Sequence, residues 1–323
     1  MIISSASYRR LVDRAPATIQ AGRARYASAQ QAVSANTPGV PAQTFSEQAG
    51  KAFDGSSQTG MLTLDLSPEL GTGYPATTGN LLARYLVLRE GEEHEFSPRA
   101  SSVLCFAMTG SGRAFREDEV IEWASGDVFL FPGGETLLFE SPDADSVVFV
   151  VTDEPMLTSL GCTAPGEEDV QVQSTHFTAK TITAQFEDIQ AKMPDAEPIS
   201  RLELGSTPFE QSGCVAPGMA AGVALLEPGR NQPDHCHDAD TISLCRQCDG
   251  VYSMIAGNRT EWVANAAILT PAGAVHSQHN TGEERVFSFY VQDRGPRVVR
   301  TWEPRSEGAQ PEDTQAENSN AEA

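Results

Sequence analysis

Gly229-Arg230-Asn231-Gln232-Pro233-Asp234-His235-Cys236-His237, answered about forty residues later by Pro271-Ala272-Gly273-Ala274-Val275-His276-Ser277-Gln278-His279-Asn280, is the stretch on which the fold turns. Four of the chain's six histidines lie in it. On an extended strand, residues i and i+2 project to the same side, so His235 and His237 enter one face together. The Pro271-x-Gly273 corner reverses the chain and can return His276 beside them. Gln278 shares the strand parity of His276 and should face the same way. Three imidazoles suit Fe, Zn, Cu or Ni and leave coordination positions open, which is what a catalytic metal needs. A His-x-His pair alone also occurs among surface histidines in polar loops. The second segment, with its own histidine after the corner, favours a metal site.

Outward from this stretch the chain is punctuated in short steps. Apolar runs at Leu82–Leu88, 103–108, 128–131 and 146–151, then 222–226, 241–244, Val251–Ile255, 267–270 and 286–291, alternate with Gly, Pro and Asp. That pattern predicts an all-β sandwich or barrel and not βαβ units. The two halves follow one plan. Gly110-Ser111-Gly112, Trp123 and Pro132 answer Asp249-Gly250, Trp262 and Pro271, with nine residues from Trp to Pro in both. Two copies of one barrel are therefore expected. The expected layout is an N-terminal helical arm and loop at 1–60, a first barrel at 61–162 and a connector at 163–205. A second barrel at 206–302 and a disordered acidic tail at 303–323 complete it. Residues 5–35 read as helix, 38–60 as a covering loop and 184–193 as a helical piece of the connector.

The chain has 323 residues with 44 acidic and 22 basic side chains, a formal net charge of −22. Such a balance argues against nucleic acid or an anionic membrane surface as partner. An anionic substrate would then need a local cation, which a metal can supply. No run approaches the roughly 20 apolar residues of a membrane span. The opening, with Arg9, Arg10, Arg14, Arg23 and Arg25, lacks the apolar run of a secretory signal and reads as a helical extension more than a transit segment. Six cysteines in a chain this long do not make a disulfide scaffold, so a reducing cytoplasm is expected. Cys245-Arg246-Gln247-Cys248 on a strand would send its thiols to opposite sides, Cys245 inward and Cys248 outward, as ordinary packing. Gly110-Ser111-Gly112 reads as a hairpin turn, since no helix follows for a nucleotide loop. Asp143, Asp145 and the run 167–169 read as solvated turns.

The Gly229-x5-His235-x-His237 and Pro271-x-Gly273-x-x-His276-x3-Asn280 segments resemble the two cupin motifs. The position of the usual carboxylate ligand holds Ser243, and a three-histidine set without it resembles the gentisate 1,2-dioxygenase group of bicupins. The stretches 251–260, 268–271 and the strand ending at Asp293 are similar to the metal-bearing half of that family. The stretches 101–113, 122–129 and 145–161 are similar to its other barrel. In that first barrel the ligand positions hold Ser97, Arg99 and Leu137, so no metal site is expected there, and His94 stands out of register. Gln278 and Tyr290 stand where the family carries a histidine and an acidic residue.

The resemblance implies an Fe(II)-dependent, ring-cleaving dioxygenase of a hydroxylated aromatic acid, a homo-oligomer using dioxygen and a small anionic aromatic substrate. It implies His235, His237 and His276 as ligands of Fe(II), or of Mn, Zn, Ni or Cu. Gln278 is the candidate catalytic residue, and Ser243 and Tyr290 the candidate substrate contacts. His279 and Cys245 stay open as neighbours of the site. Two other readings stay open: non-oxidative chemistry, as a hydrolase or isomerase of a small anionic metabolite, and a non-catalytic ligand-binding cupin.

Overall fold

Met219–Leu226 is buried at every position, and Ser102–Thr109 at all but its last. Continuous burial needs cover on both faces of a strand. Here one face looks into a barrel and the other onto the neighbouring barrel. The computed structural model describes residues 17–24, 39–192 and 199–295. Over these, each half of the protein is a pair of facing antiparallel sheets.

In the first half a six-stranded sheet runs, in spatial order, Thr175–Phe177, Val128–Pro132, Ser102–Thr109, Ser146–Thr152, Leu82–Leu88 and Gly60–Thr63. It faces a four-stranded sheet of Glu92–Phe96, Leu137–Ser141, Ser111–Arg116 and Glu119–Ala124. In the second half the six strands are Gln43–Thr44, Ile268–Thr270, Asp240–Cys245, Val286–Asp293, Met219–Leu226 and Ile199–Leu204. They face Asn258–Glu261, Val251–Ile255 and His276–Asn280. The two large sheets match strand for strand through their centres, so the repeat read from Trp and Pro spacing is a repeat of topology.

The flanking segments are exchanged between the halves. Gln43–Thr44 adds an edge to the second half's sheet, with Thr44 opposite Ile268. Thr175–Phe177, from the segment expected to connect the barrels, adds an edge to the first half's sheet. The covering loop expected over 38–60 is thus corrected: it also holds a helix, Ser46–Phe53, with Ala49 and Ala52 buried. Three-residue spacing of small apolar side chains carries that face, and the Gly- and Ser-bearing surroundings mask it. The connector helix runs Ala179–Lys192, longer than the expected 184–193 at its start, with Ile182 and Phe186 buried four residues apart. Of the arm expected over 5–35, residues 17–24 are described and Ile19–Arg23 is helical; 5–16 and 25–35 lie outside the described residues, as does the tail 303–323.

Gly110-Ser111-Gly112 is not a hairpin turn. Ser102–Thr109 and Ser111–Arg116 belong to different sheets, and Gly110 turns the chain from one to the other at φ 77°. A Cβ there would both occupy a left-handed conformation and run into Ser146.

Period-two alternation fills the first barrel. Glu119–Ala124 turns Ile121 and Trp123 inward, where they meet Phe129, Phe131 and Phe139. The second barrel's interior is built instead from Trp262, Tyr290, Ile268, Val251 and two cysteines. Between the large sheets lies one apolar layer containing Phe106, Phe149, Leu244 and Phe289, with the Phe106 and Phe289 rings stacked at 4.7 Å. Tyr85 ties the layer across: its hydroxyl accepts from the Ala267 N–H at 3.0 Å and donates to the Asn265 carbonyl at 2.8 Å. Tyr85→Phe leaves that buried N–H without a partner. A loss of about 1–3 kcal/mol is expected. Urea unfolding followed by fluorescence reads it as a lowered midpoint, and an unchanged midpoint would mean the barrels do not depend on this tie.

Candidate metal centre

The strand His276–Asn280 meets the incoming segment 229–237 as a short irregular ladder. The His235 N–H donates to the His276 carbonyl at 3.0 Å, and the His276 N–H returns to the His235 carbonyl at 2.8 Å. The Gly273 N–H donates to the His237 carbonyl at 2.8 Å, so the Pro271-x-Gly273 corner is fastened directly to the histidine pair. Three rings meet as a result. His235 and His276 centroids lie 4.2 Å apart, His237 and His276 4.8 Å, and His235 and His237 6.0 Å. One ligating nitrogen from each lies within 4.8 Å of the others.

The tautomers suit a cation. The His276 Nδ1–H donates to the Ala274 carbonyl at 2.9 Å, and the His235 Nδ1–H to the Pro233 carbonyl at 3.1 Å. Both rings therefore carry their lone pair on Nε2, the arrangement by which backbone acceptors orient metal-binding histidines. His237 differs, since its buried Nδ1 has no hydrogen-bond partner. Burial pushes the His276 imidazole down to about 4, with the nearby His235, His237 and Arg201 adding to the effect against the bond to Ala274. Burial likewise lowers His237. Neutral rings at physiological pH are the donors a divalent transition metal requires. No carboxylate belongs to the group, and among the described residues no other cluster of this kind occurs.

Three side chains beside the rings lie outside the sequence reading. Arg201, at the exposed mouth of the barrel, directs Nη2 to the His235 Nε2 at 3.5 Å. The Gln232 Nε2 stands 3.4 Å from the same atom, and its Oε1 is buried without a partner. Glu203, two residues along from Arg201, accepts the Tyr290 hydroxyl at 2.6 Å. Arg201 and Glu203 come from Ile199–Leu204, whose alternating Arg-Leu-Glu-Leu pattern is the available sign of a strand.

The anticipated residues fall as follows. Gln278 lies two residues from His276 on the same strand, and its carbonyl accepts from the Gln232 N–H at 2.8 Å. Ser243 and Tyr290 are direct cross-strand partners, both buried. Burial and the Glu203 carboxylate push the Tyr290 phenol well above its usual value, so it stays protonated. The Tyr290 ring lies over Gly222, where any Cβ would strike it. Thr241, on the strand of Ser243, places Oγ1 3.5 Å from the His237 Nε2. His279 points the other way, bonded to Asn231 at 2.9 Å and stacked on Tyr252 at 4.5 Å.

The expectation that the Cys245 and Cys248 thiols diverge is corrected. Asp240–Cys245 ends at Cys245, so strand parity does not reach Cys248. Both thiols sit in the second barrel's interior, near enough for each to shift the other's ionisation. In the first barrel, Ser97 bonds Thr136 at 2.7 Å, Arg99 bonds the Cys162 carbonyl at 2.6 Å, and Leu137 is wholly buried.

Two facing-sheet barrels in one chain define a bicupin fold. No family model matches the chain. Salicylate 1,2-dioxygenase from Pseudaminobacter salicylatoxidans superposes with a TM-score of 0.65 at 14% identity, over 80% of this chain and 86% of that one. A mutant of that enzyme in complex with gentisate gives 0.64 at 12% identity, over 80% and 83%. In sequence the chain is 29% identical over 122 residues to a 5-aminosalicylate 1,2-dioxygenase from a Comamonas species, covering 38% of this chain and 30% of that protein. It is 25% identical over 146 residues to a gentisate 1,2-dioxygenase from a Ralstonia species, covering 43% and 40%. The chain thus spans less than half the length of these curated relatives. The likeness to the solved structures is one of fold, two barrels in one chain, and the likeness in sequence is to parts of these two dioxygenases. Among the described residues no helix is long and apolar enough to cross a membrane.

Proposed function

We propose that the protein is an Fe(II)-dependent dioxygenase that opens the ring of a hydroxylated aromatic acid related to gentisate. The observation that carries this is the convergence of three imidazoles, with no carboxylate among them, beside the Arg201 guanidinium. His235, His237 and His276 would hold the iron, and Mn, Zn, Ni or Cu suit the same donors. Such an ion, when bound, supplies chelation of adjacent carboxylate and hydroxyl oxygens and a path for electrons from ring to dioxygen. The remaining work falls to the chain's own side chains. Arg201 offers a planar fork of donors to the carboxylate. Tyr290, locked to Glu203, forms with Ser243 a wall that holds the ring in one orientation. Gln278 supplies an amide on the strand face of His276, where it can orient substrate or reaction oxygen. Thr241 holds His237.

The second barrel, 206–302, would carry the reaction, and the first, 61–162, would pack against it through the Phe106 and Phe289 layer. Six free thiols support a reducing cytoplasm as the setting, and a homo-oligomer is part of the same reading. The test is oxygen uptake by full-length protein loaded anaerobically with Fe(II), using gentisate, salicylate and 5-aminosalicylate. Oxygen and substrate should disappear one for one with a ring-opened acid as product. No uptake with any of the three overturns the reading. The departures at Gln278 and Tyr290 favour non-oxidative turnover of a small anionic metabolite as a second reading. Tightly held zinc or manganese without oxygen uptake would identify it.

A further inference from the structure

Beyond Cys245 the chain leaves its strand, passes through Arg246 and Gln247, and comes back at Cys248, whose carbonyl accepts from the Val251 N–H at 3.0 Å. This turn undoes the divergence that strand geometry would impose. Cys245 and Cys248 are 1% and 5% exposed, lie in one interior cluster with Trp262, Ile268 and Tyr290, and shift each other's ionisation. Cys105 and Cys214 are buried elsewhere, and Cys162 and Cys236 are exposed. A cavity of about 290 Å³ between the barrels is lined by Leu244, Cys245, Arg246 and Gln247, with Phe106 and Phe289 opposite. Its wall thus includes Cys245 and the Arg246-Gln247 segment that joins the two thiols.

We propose that Cys245 and Cys248 form a reversible oxidation site, closing to an intrachain disulfide on exposure to hydrogen peroxide. The two sulfurs are not equivalent. The neighbouring Cys245 side chain lowers the Cys248 thiol, while Cys248 and burial raise Cys245. Cys248 is therefore the attacking thiolate and Cys245 the thiol that resolves it. The Cys248 sulfur attacks one peroxide oxygen; an S–O bond forms, the O–O bond breaks, and the released oxygen leaves as water after taking a proton. The Cys245 sulfur then attacks the Cys248 sulfur. The S–S bond forms, the S–O bond breaks, and hydroxide departs with the Cys245 proton as a second water. Two thiols give up two electrons, and one peroxide becomes two waters.

The site bears on the histidine cluster through one strand. Asp240–Cys245 carries Thr241 against His237 and Ser243 against Tyr290, so closing a covalent ring at its end acts on the wall of the candidate centre. The test is read by mass, independently of any catalysis. Full-length protein is exposed to hydrogen peroxide, free thiols are alkylated, and the digest is analysed. The peptide holding both cysteines should lose two hydrogens and both alkylation sites, and dithiothreitol should restore them. In Cys245→Ser the reaction should stall with Cys248 as a sulfenic acid captured by dimedone, and Cys248→Ser should show neither product. The proposal fails if both thiols stay alkylatable at peroxide levels that oxidise exposed Cys162 and Cys236. It also fails if Cys245 or Cys248 is found joined to another cysteine. The decisive measurement is made on the unaltered chain, so a variant that folds poorly does not blunt it.

Discussion

His276→Ala is expected to yield a folded protein that holds no divalent metal. The ladder joining His276 to His235 is made by backbone groups, so removing the ring leaves the strand pairing intact. What is lost is the most buried of the three imidazoles and the one nearest to both others, at 4.2 and 4.8 Å between ring centroids. Two histidines without a carboxylate are a weak set for a transition metal. Removing a residue that merely orients a ligand costs about 10–100-fold in metal affinity or activity, and removing a ligand costs more. Iron content should fall from about one per chain to background, and oxygen uptake by at least about a hundredfold. His279→Ala is the matched control. It lies three residues along the same segment but is committed to Asn231 and Tyr252 on the outer side, and should keep its metal. Elemental analysis of both variants decides the matter. Metal retained by His276→Ala, or lost equally from His279→Ala, would refute the site.

Parity makes the histidine group legible before any coordinates. His235 with His237, and His276 with Gln278, are pairs two apart, and the Pro271-x-Gly273 corner is a local feature with a local spelling. The repeat of Trp and Pro spacing reveals two copies of one barrel for the same reason. Arg201 and Glu203 are hidden because their strand reverses the usual reading. Leu202 and Leu204 pack toward the layer between the barrels, so the charged face looks into the barrel, where a pattern rule expects solvent. Parity misplaces Cys248, because that residue lies past the end of its strand. Gln43–Thr44 escapes notice because its partner Ile268 is more than two hundred residues away, and two residues carry no periodicity. Local spelling carries the motif, and long-range pairing supplies the company it keeps.

Arg201→Gln should raise the KM for an aromatic acid while leaving kcat and metal content much less affected. Its guanidinium reaches toward His235 from the mouth of the barrel without belonging to the three-imidazole group. A hydrogen bond to a charged group is worth about 1.5–3 kcal/mol, and the exposed position places Arg201 toward the lower figure. A rise in KM of about tenfold or somewhat more follows. Glutamine keeps length and polarity but loses the charge. Arg201→Lys keeps the charge but loses the planar fork, and should fall between the two. An uncharged analogue such as the amide of the same acid separates charge recognition from disturbance of the histidines, because its KM should not respond to Arg201→Gln. Gln232, whose buried Oε1 has no partner in the protein, stays in place in every variant and gives a common background for the comparison. Equal losses for the acid and its amide would mean that Arg201 acts on the metal-binding rings and not on the substrate, and an unchanged KM for both would remove it from the site altogether.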